Sequence, residues 1–460
     1  EYHELDWGID LYSPTVDSKV IFLILSMAIQ HDECLIEIWD IKGAFLKVCM
    51  NKQGLYAKID KFIADTLIEI NPEWKVSQKI DGSMLVELKK AWYGTAAASA
   101  LWYEEISGFI MKDLEYTQHP MVKCLFCKDL SDDTISYIML HVDDMCITIS
   151  NEIELNATKR KLEDKYGDMK IQSGDEFTYV GIECHRNRTE KRLELSMEKR
   201  IDKFCEQYNI TDDKLYPADA SLLDYTIESD KLTDNTAFRS IVMSMRYMAQ
   251  IVKPDILFPV SFLSCKQENP TVKDMKDARH IAGYIKRTKS DKIYLYGIGD
   301  SKSPIIQVYA DSSWRIFQDN TSQGGTTIFI GDSMCAMYSS SKKIKVSCHA
   351  SCDAELIEFY RSTYIAEYLY EFMKLLGFTP KIILMQDNDS ASDIVHSGKP
   401  SFDKKRKHIN EAIISTHKWI NEYNAVMMAC ITENMYSDYL TKVMTGNDFK
   451  KQKDMSYGRR

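Results

Sequence analysis

The chain has 460 residues, room for roughly three domains at about 150 residues each. Apolar residues make up 45% and charged residues 27%, the balance of a folded protein with a large core, which excludes a disordered chain, a collagen and a coiled coil. Lys and Arg number 58 against 68 Asp and Glu, a net charge of -10, so the molecule as a whole is no polybasic nucleic-acid coat. The charge is uneven. Residues 1–300 carry 38 basic and 50 acidic side chains (-12), whereas residues 301–460 carry 20 and 18 (+2), including Lys404, Lys405, Arg406, Lys407 and His408 in one run. The longest apolar stretch, 20–29, falls short of the ~18 residues of a membrane span, which predicts an intracellular chain. Glu at position 1 reads as a processed product or a fragment of a longer protein. Twelve cysteines have no repeating spacing; Cys124-x-x-Cys127 and Cys348-His349-x-x-Cys352 lack partners at zinc-site spacing and are read as free thiols.

In chain order, residues 15–30 predict a buried helix and 35–39 an apolar strand ending in Asp40. Residues 137–142 and 145–149 flank Asp143-Asp144 and predict a hairpin with two carboxylates at its turn. A charged amphipathic helix is expected over 152–166, strands over 177–184 and 192–196, and a helix over 199–208. Residues 216–235 read as a linker, followed by helices near 237–252, 255–265 and 271–288. From 304 the pattern becomes β-β-β-α-β-α-β-α: strands at 304–310, 326–330 and 334–338, a long helix over 354–376, a strand at 381–386, helices at 389–397 and 407–422, a strand at 425–431 and a last helix near 436–444. That is a mixed-sheet α/β domain.

Asp40 at a strand end and Asp143-Asp144 at a turn emerge where buried strands stop. Three acids brought together repel and raise one another's pKa unless cations sit among them. Hard oxygen ligands of this kind suit Mg²⁺, and two such ions stabilise the attacking and leaving oxygens of a phosphoryl transfer. On periodicity alone, ordinary turn chemistry and a strand-end cap are the better explanation of the same residues.

The surrounding motifs decide between the two. Asp40-Ile-Lys-Gly-Ala-Phe45-Leu46, Leu88-Lys-Lys-Ala-Trp-Tyr93-Gly94 with Trp102-Tyr103, and His141-Val-Asp143-Asp144-Met resemble, in order and spacing, the reverse transcriptase of copia-type LTR retrotransposons. The resemblance continues through Phe238-Arg-Ser-Ile-Val, Tyr247-Met-Ala-Gln, Lys253-Pro-Asp-Ile and Phe262-Leu-Ser into the C-terminal region, and covers nearly the whole chain. It implies a Pol polyprotein fragment with Asp40, Asp143 and Asp144 as the polymerase metal ligands. Phe45 is then the wall that excludes a 2′-hydroxyl, with Tyr93 and Gly94 beside the substrate. The chain departs from the family in two places: His141 stands where the family has Tyr, and Thr95-Ala96-Ala97 stands where the family has a basic residue and a nucleotide-contacting Gln.

A second motif series, Tyr309-Ala-Asp311-Ser-Ser-Trp314, Ser341-Lys-Lys-Ile-Lys345, Asp353-Ala-Glu355-Leu356, Asp387-Asn-Asp389-Ser-Ala391, Lys407-His408-Ile409 and Ser437-Asp438-Tyr-Leu-Thr-Lys442, resembles ribonuclease H. It implies Asp311, Glu355, Asp387 and Asp438 as metal ligands. Asp353 reads as a solvated helix-surface residue, and the 404–407 run, Lys407 included, as a solvated loop that could grip phosphate. The implied fold is a right-hand polymerase palm and fingers with a connection, followed by an RNase H-like α/β domain. The expected domains are 1–210 (partial fingers, palm, start of the thumb), 211–300 (connection), 301–445 (RNase H-like) and 446–460 (tail). The implied cofactors are Mg²⁺ or Mn²⁺, two per active site. The implied partners are RNA template, DNA primer, RNA-DNA hybrid, deoxynucleoside triphosphates, and integrase and other Pol parts of the parent polyprotein, in the cytoplasm or nucleus. Two functions remain: an RNA-directed DNA polymerase with ribonuclease H, favoured by seven retained carboxylates, or a decayed or co-opted copy that binds nucleic acid or partners without polymerising, favoured by the missing Gln.

Overall fold

The structure, a computed structural model, describes residues 11–50, 55–130, 134–333, 335–400 and 406–459. The chain divides into two compact units: the segment up to Val16 together with Leu35–Ser173, and Asp17–Cys34 together with the chain from Gly174 onward. The buried helix expected near 15–30 is present as α1 (Ser18–Ile29), capped by the Asp17 carboxylate on the Lys19 amide, and it belongs to the second unit.

The first unit is built on β1 (Leu35–Ile41), β4 (Thr117–His119), β5 (Val122–Asp129), β6 (Ile135–His141), β7 (Asp144–Ile149) and β8 (Met169–Gln172), in the antiparallel order β4-β5-β6-β7-β1-β8. Between β1 and β4 run β2 (Tyr56–Ile59), α2 (Lys61–Ile70) and β3 (Met84–Glu87), a separate two-stranded hairpin packed on its own helix through Ile59, Ala64 and Met84. β6 and β7 are almost continuously apolar because Ile138, Met139, Leu140, Met145, Cys146 and Ile147 are all buried, as central strands require. Helices α3 (Ala98–Lys112) and α4 (Glu152–Tyr166) pack together where the Tyr166 ring meets Trp102 and Phe109 edge-on, at 5.5 and 5.4 Å between centroids.

The second unit begins with a four-stranded antiparallel sheet, β9 (Glu176–Tyr179), β10 (Ile182–Asn187), β11 (Arg192–Ser196) and the distant β12 (Ile293–Tyr296), in the order β12-β11-β10-β9. The single strand expected at 177–184 is therefore two, because Val180 and Gly181, both at positive φ, reverse the chain. The expected boundary at 210/211 does not coincide with the division of contacts, which falls at Ser173/Gly174; β12 pairs with β11 and ties 174–210 to the region before 300. α5 (Glu198–Gln207), α6 (Thr236–Ala249), α7 (Leu257–Ser264) and α8 (Val272–Arg287) fill the connection.

Beyond them lies a five-stranded mixed sheet in the order β15-β14-β13-β16-β17, from β13 (Ile305–Ser313), β14 (Ser322–Ile330), β15 (Tyr338–Ile344), β16 (Lys381–Gln386) and β17 (Val426–Ala429). β13 pairs antiparallel with β14, and β14 with β15; β16 and β17 join in parallel. α9 (Ser351–Leu375) lies against β13 and β14, with α10 (Asp389–Ser397) and α11 (Lys407–Tyr423) beside it. The third strand lies at 338–344 rather than 334–338. It is a polar strand, Tyr-Ser-Ser-Ser-Lys-Lys-Ile, which an apolar pattern misses; the first residue of the expected strand, 334, lies outside the described residues.

The last segment is not a tail. α12 (Gly446–Ser456) is followed by Tyr457, which is fully buried, and Arg459. Tyr284 and Tyr457 donate hydroxyl hydrogen bonds to Asp255 at 2.5 and 2.7 Å, and Lys453 reaches Asp255 at 3.2 Å and Asp291 at 2.6 Å. Arg459 pairs with Asp291 at 2.8 Å. Against burial, which favours the neutral acid, Lys253 and Lys453 hold Asp255 ionised, well below the usual carboxylate range. Removing Asp255 leaves two buried lysines to share Asp291 and two buried tyrosine hydroxyls without their acceptor, so Asp255→Ala is expected to cost about 3–5 kcal/mol in denaturant unfolding. A loss below ~1 kcal/mol would show that the network is not what fastens α12.

Candidate active sites

The first site grows from strand register. β1 and β7 pair so that Asp40 lies opposite Asp144, and on its other edge Asp40 lies opposite Lys170 of β8. His141 pairs with Asp144, which leaves Val142 and Asp143 as a two-residue turn. Val142 sits at φ +60°, a conformation that costs a β-branched residue about 1–2 kcal/mol. The Trp102 indole N–H donates to the Val142 carbonyl at 2.7 Å and so holds that turn from α3. Burial, then Asp143 and Asp40, push the Asp144 carboxyl up to about 6, opposed by Lys170. Burial and Asp40 also raise Asp143. Asp40 thus acts on both residues of the Asp143-Asp144 pair.

Phe45 follows Gly43, whose φ of +65° opens a one-turn 3-10 helix over Ala44–Lys47. It packs against the small residues Ala91, Ala97, Ala98 and Leu101 and touches the Tyr93 ring at 4.6 Å between centroids. Tyr93 is raised by burial and by Asp143 and Asp40, which places its hydroxyl in the field of the carboxylates. Gly94 has φ +90° with open space around it. His141, in place of the family's Tyr, is lowered by burial, and its Nδ1 is buried without a hydrogen-bond partner among the described residues. Ala96 is exposed, whereas Ala97 is fully buried.

The second site lies at one end of the mixed sheet. Asp311 is on β13, and Asp387 follows β16, two residues past the last β13–β16 pair, Tyr309 with Met385; the shared register brings both to the same end. Glu355 comes from the second turn of α9; its Oε1 accepts from the Ser312 hydroxyl at 3.0 Å, and its Oε2 is buried without a hydrogen-bond partner among the described residues. Asp438 begins a 3-10 turn (Asp438–Leu440), not a last α-helix as expected. Thr441 holds that turn in place, its hydroxyl donating to Asp311 Oδ2, and Lys442 Nζ lies 2.9 Å from Asp438 Oδ1.

A Gly324-Gly325 pair on β14 makes the approach possible. A Cβ at Gly325 would meet Thr441 and Leu440 side chains at 2.7 and 2.8 Å; one at Gly324 would fall 1.9 Å from Glu358 Oε2. Neither glycine was picked out from sequence, though two adjacent glycines inside a strand are a signal of close approach. Glu358, one turn after Glu355, was also missed; it is buried, accepts from the Thr326 hydroxyl at 2.7 Å, and is raised by burial to about 7.

Burial first, then the neighbouring acids, raises Asp311, Glu355 and Asp387. Against the burial that would lower it, Asp311, Asp438 and Asp387 raise Lys442. As the side chains stand, no three His, Cys, Asp or Glu among the described residues are gathered closely enough to enclose an ion. The donor chemistry nonetheless fits a hard divalent cation: oxygen ligands only, mutual repulsion, and a buried carboxylate oxygen with nothing bonded to it.

Two expectations are corrected here. Asp353 is not a solvated surface acid but a buried one: its carboxylate accepts from the His349 and Ala350 amides at 3.0 and 3.3 Å, capping α9, and it pairs with Arg406. Arg406 is thereby committed to structure, so only Lys407, exposed at the start of α11, is left of the described part of the 404–407 run to meet phosphate; 404 and 405 lie outside the described residues. His408 bonds the Ser347 carbonyl at 2.9 Å. The described cysteines are free thiols.

Comparison with known proteins fits this layout. Residues 2–217 match the family described as reverse transcriptase (RNA-dependent DNA polymerase). The chain is 27% identical over 466 residues to a retrovirus-related Pol polyprotein from transposon TNT 1-94 of Nicotiana tabacum, covering 97% of this chain and 33% of that protein. It is 25% identical over 455 residues to the one from transposon RE1 of Arabidopsis thaliana, covering 97% and 29%. Among solved structures, a foamy viral protease-reverse transcriptase in complex with dsDNA aligns with 92% of this chain and 72% of its own, at 10% identity and a TM-score of 0.47. The chain spans about a third of the length of these transposon relatives. Residues 2–217 are thus similar to the reverse transcriptase family, and nearly the whole chain is similar to part of these transposon Pol polyproteins.

Two outcomes follow from this geometry. A carboxyl raised by its surroundings destabilises the fold above its folded pKa and does nothing below its unfolded one. Asp144→Asn should therefore stabilise metal-free protein at pH 8 by about 1 kcal/mol in denaturant unfolding once solvent screening is allowed for, with the gain gone at pH 4. Ala96→Gln should leave the melting temperature unchanged and increase primer extension, whereas Ala97→Gln should destabilise by about 1–3 kcal/mol through overpacking.

Proposed function

We propose that the two carboxylate sets serve two phosphoryl-transfer reactions: template-directed DNA synthesis at Asp40, Asp143 and Asp144, and hydrolysis of the RNA strand of an RNA-DNA hybrid at Asp311, Glu355, Asp387 and Asp438. The observation that supports this reading is strand register: Asp40 lies opposite Asp144 across β1 and β7, and the parallel pairing of β13 with β16 brings Asp311 and Asp387 to one end of the sheet. Divalent ions, Mg²⁺ or Mn²⁺, two per set, would supply charge neutralisation and activation of the attacking oxygen.

The chain's own residues do the rest. At the first set, Trp102 fixes the turn that aims Asp143, and the Phe45–Tyr93 pair makes a bulky wall beside the acids, fit to turn away a sugar bearing a 2′-hydroxyl. At the second, strands fix Asp311 and Asp387 and a helix fixes Glu355, so the ligands stand on rigid elements. Ser312 and Thr441 orient two of them, and the exposed Lys407 would meet hybrid phosphate. The substrates that follow are RNA template, DNA primer, deoxynucleoside triphosphates and hybrid.

The missing Gln makes the nuclease set the stronger of the two, and a co-opted copy that binds without polymerising is the second reading, favoured by Thr95-Ala96-Ala97. The full chain with Asp387→Asn, which removes charge but little volume, should lose Mg²⁺-dependent cleavage of hybrid RNA by at least about a hundredfold while any primer extension persists. Asp143→Asn should do the reverse. Cleavage by Asp387→Asn at the parent's rate would refute the assignment.

A further inference from the structure

We infer that Lys442 is the nuclease set's built-in counter-cation: its ammonium occupies the cluster in the metal-free protein and has to withdraw for divalent ions to bind. The inference rests on the metal-ion reading proposed above. The Lys442 amide bonds the Asp438 carbonyl at 3.2 Å, which fixes the backbone and directs the side chain back over Asp438, where Nζ forms its 2.9 Å ion pair. The same charge acts on Asp311 and Asp387, so one ammonium serves three of the four acids.

Mobility is divided between the partners. The Asp438 side chain is 7% exposed and that of Lys442 41%, so the acid cannot leave but the lysine has a route to solvent. Thr441, bonded to Asp311 and to the Asp438 carbonyl at 3.0 Å, keeps the turn fixed while the neighbouring side chain swings. Charge counting agrees. Four ionised carboxylates carry four negative charges and two divalent ions four positive ones, so with both ions bound the ammonium is one cation in excess. This also accounts for acids that cluster without closing on a point: a lysine, not a metal, sets their spacing.

A lysine that merely braces the fold, or one that only grips nucleic acid, would leave metal affinity unchanged. The test is Mn²⁺ binding to the full chain without nucleic acid, followed by electron paramagnetic resonance of free Mn²⁺, with Asp387→Asn identifying the ions that belong to this set. Lys442→Met is expected to bind those ions about tenfold more tightly and to melt earlier than the parent in EDTA, because two cations a few ångströms apart in a half-buried site oppose each other by at least that factor. Lys442→Arg keeps the charge and should bind like the parent. Lys442→Gln serves as a second neutral variant if Met perturbs folding by circular dichroism. Neutral variants that fold and bind Mn²⁺ no more tightly than the parent would overturn the displacement while leaving the metal site standing. If Asp387→Asn removes no Mn²⁺ at all, the metal reading fails and the inference with it.

Discussion

Repulsion between like charges confined to poorly solvated places is the constraint on which both sites depend. Seven carboxylates are drawn into two groups, and burial together with the neighbouring acids raises Asp143 and Asp144 in one and Asp311, Glu355 and Asp387 in the other. Such groupings cost stability and persist only because strong packing elsewhere fixes the elements that carry them: the apolar β6–β7 pair in one unit, the five-stranded sheet under α9 in the other. What offsets the repulsion differs. Lys170 acts on Asp144 from β8, on the far side of β1, and Lys442 pairs with Asp438 in the second group.

The two sites are also built differently. The first group depends on a β-hairpin whose turn is strained at Val142 and steadied by one indole N–H from α3. The second group depends on absent side chains: Gly324 and Gly325 let α9 and the 437–441 turn approach the sheet more closely than any Cβ would permit. A change at either support would move the acids without touching them. That separation matters for a chain with Thr95-Ala96-Ala97 beside the first group and all four acids present in the second. Loss of one chemistry need not disturb the other.

Much of this was legible in the sequence. The 141–144 hairpin, the 381–386 strand, the 389–397 helix and the amphipathic helix over 152–166 follow from apolar periodicity, and the structure has them at those positions. Where polarity and burial part company, sequence reasoning fails. β15 is polar yet has buried serines, Ser340 and Ser341, so an apolar pattern put the strand too early. Asp353 carries the composition of a surface residue but caps α9 from inside, satisfied by two amides and Arg406. The C-terminal segment, rich in Lys and Asp, resembles a solvated tail because its charges pair with Asp255 and Asp291 across more than 160 residues, which no local window sees. Glu358 needed only the i, i+3 spacing from Glu355 to be suspected.

The most direct measurement is anomalous scattering from crystals of the full chain soaked in Mn²⁺. Peaks among Asp311, Glu355, Asp387 and Asp438, with the Lys442 side chain displaced from Asp438, are the predicted result. Density showing Lys442 still paired with Asp438 and no anomalous peak within coordination distance of these four acids, at Mn²⁺ concentrations that support cleavage in solution, would contradict it.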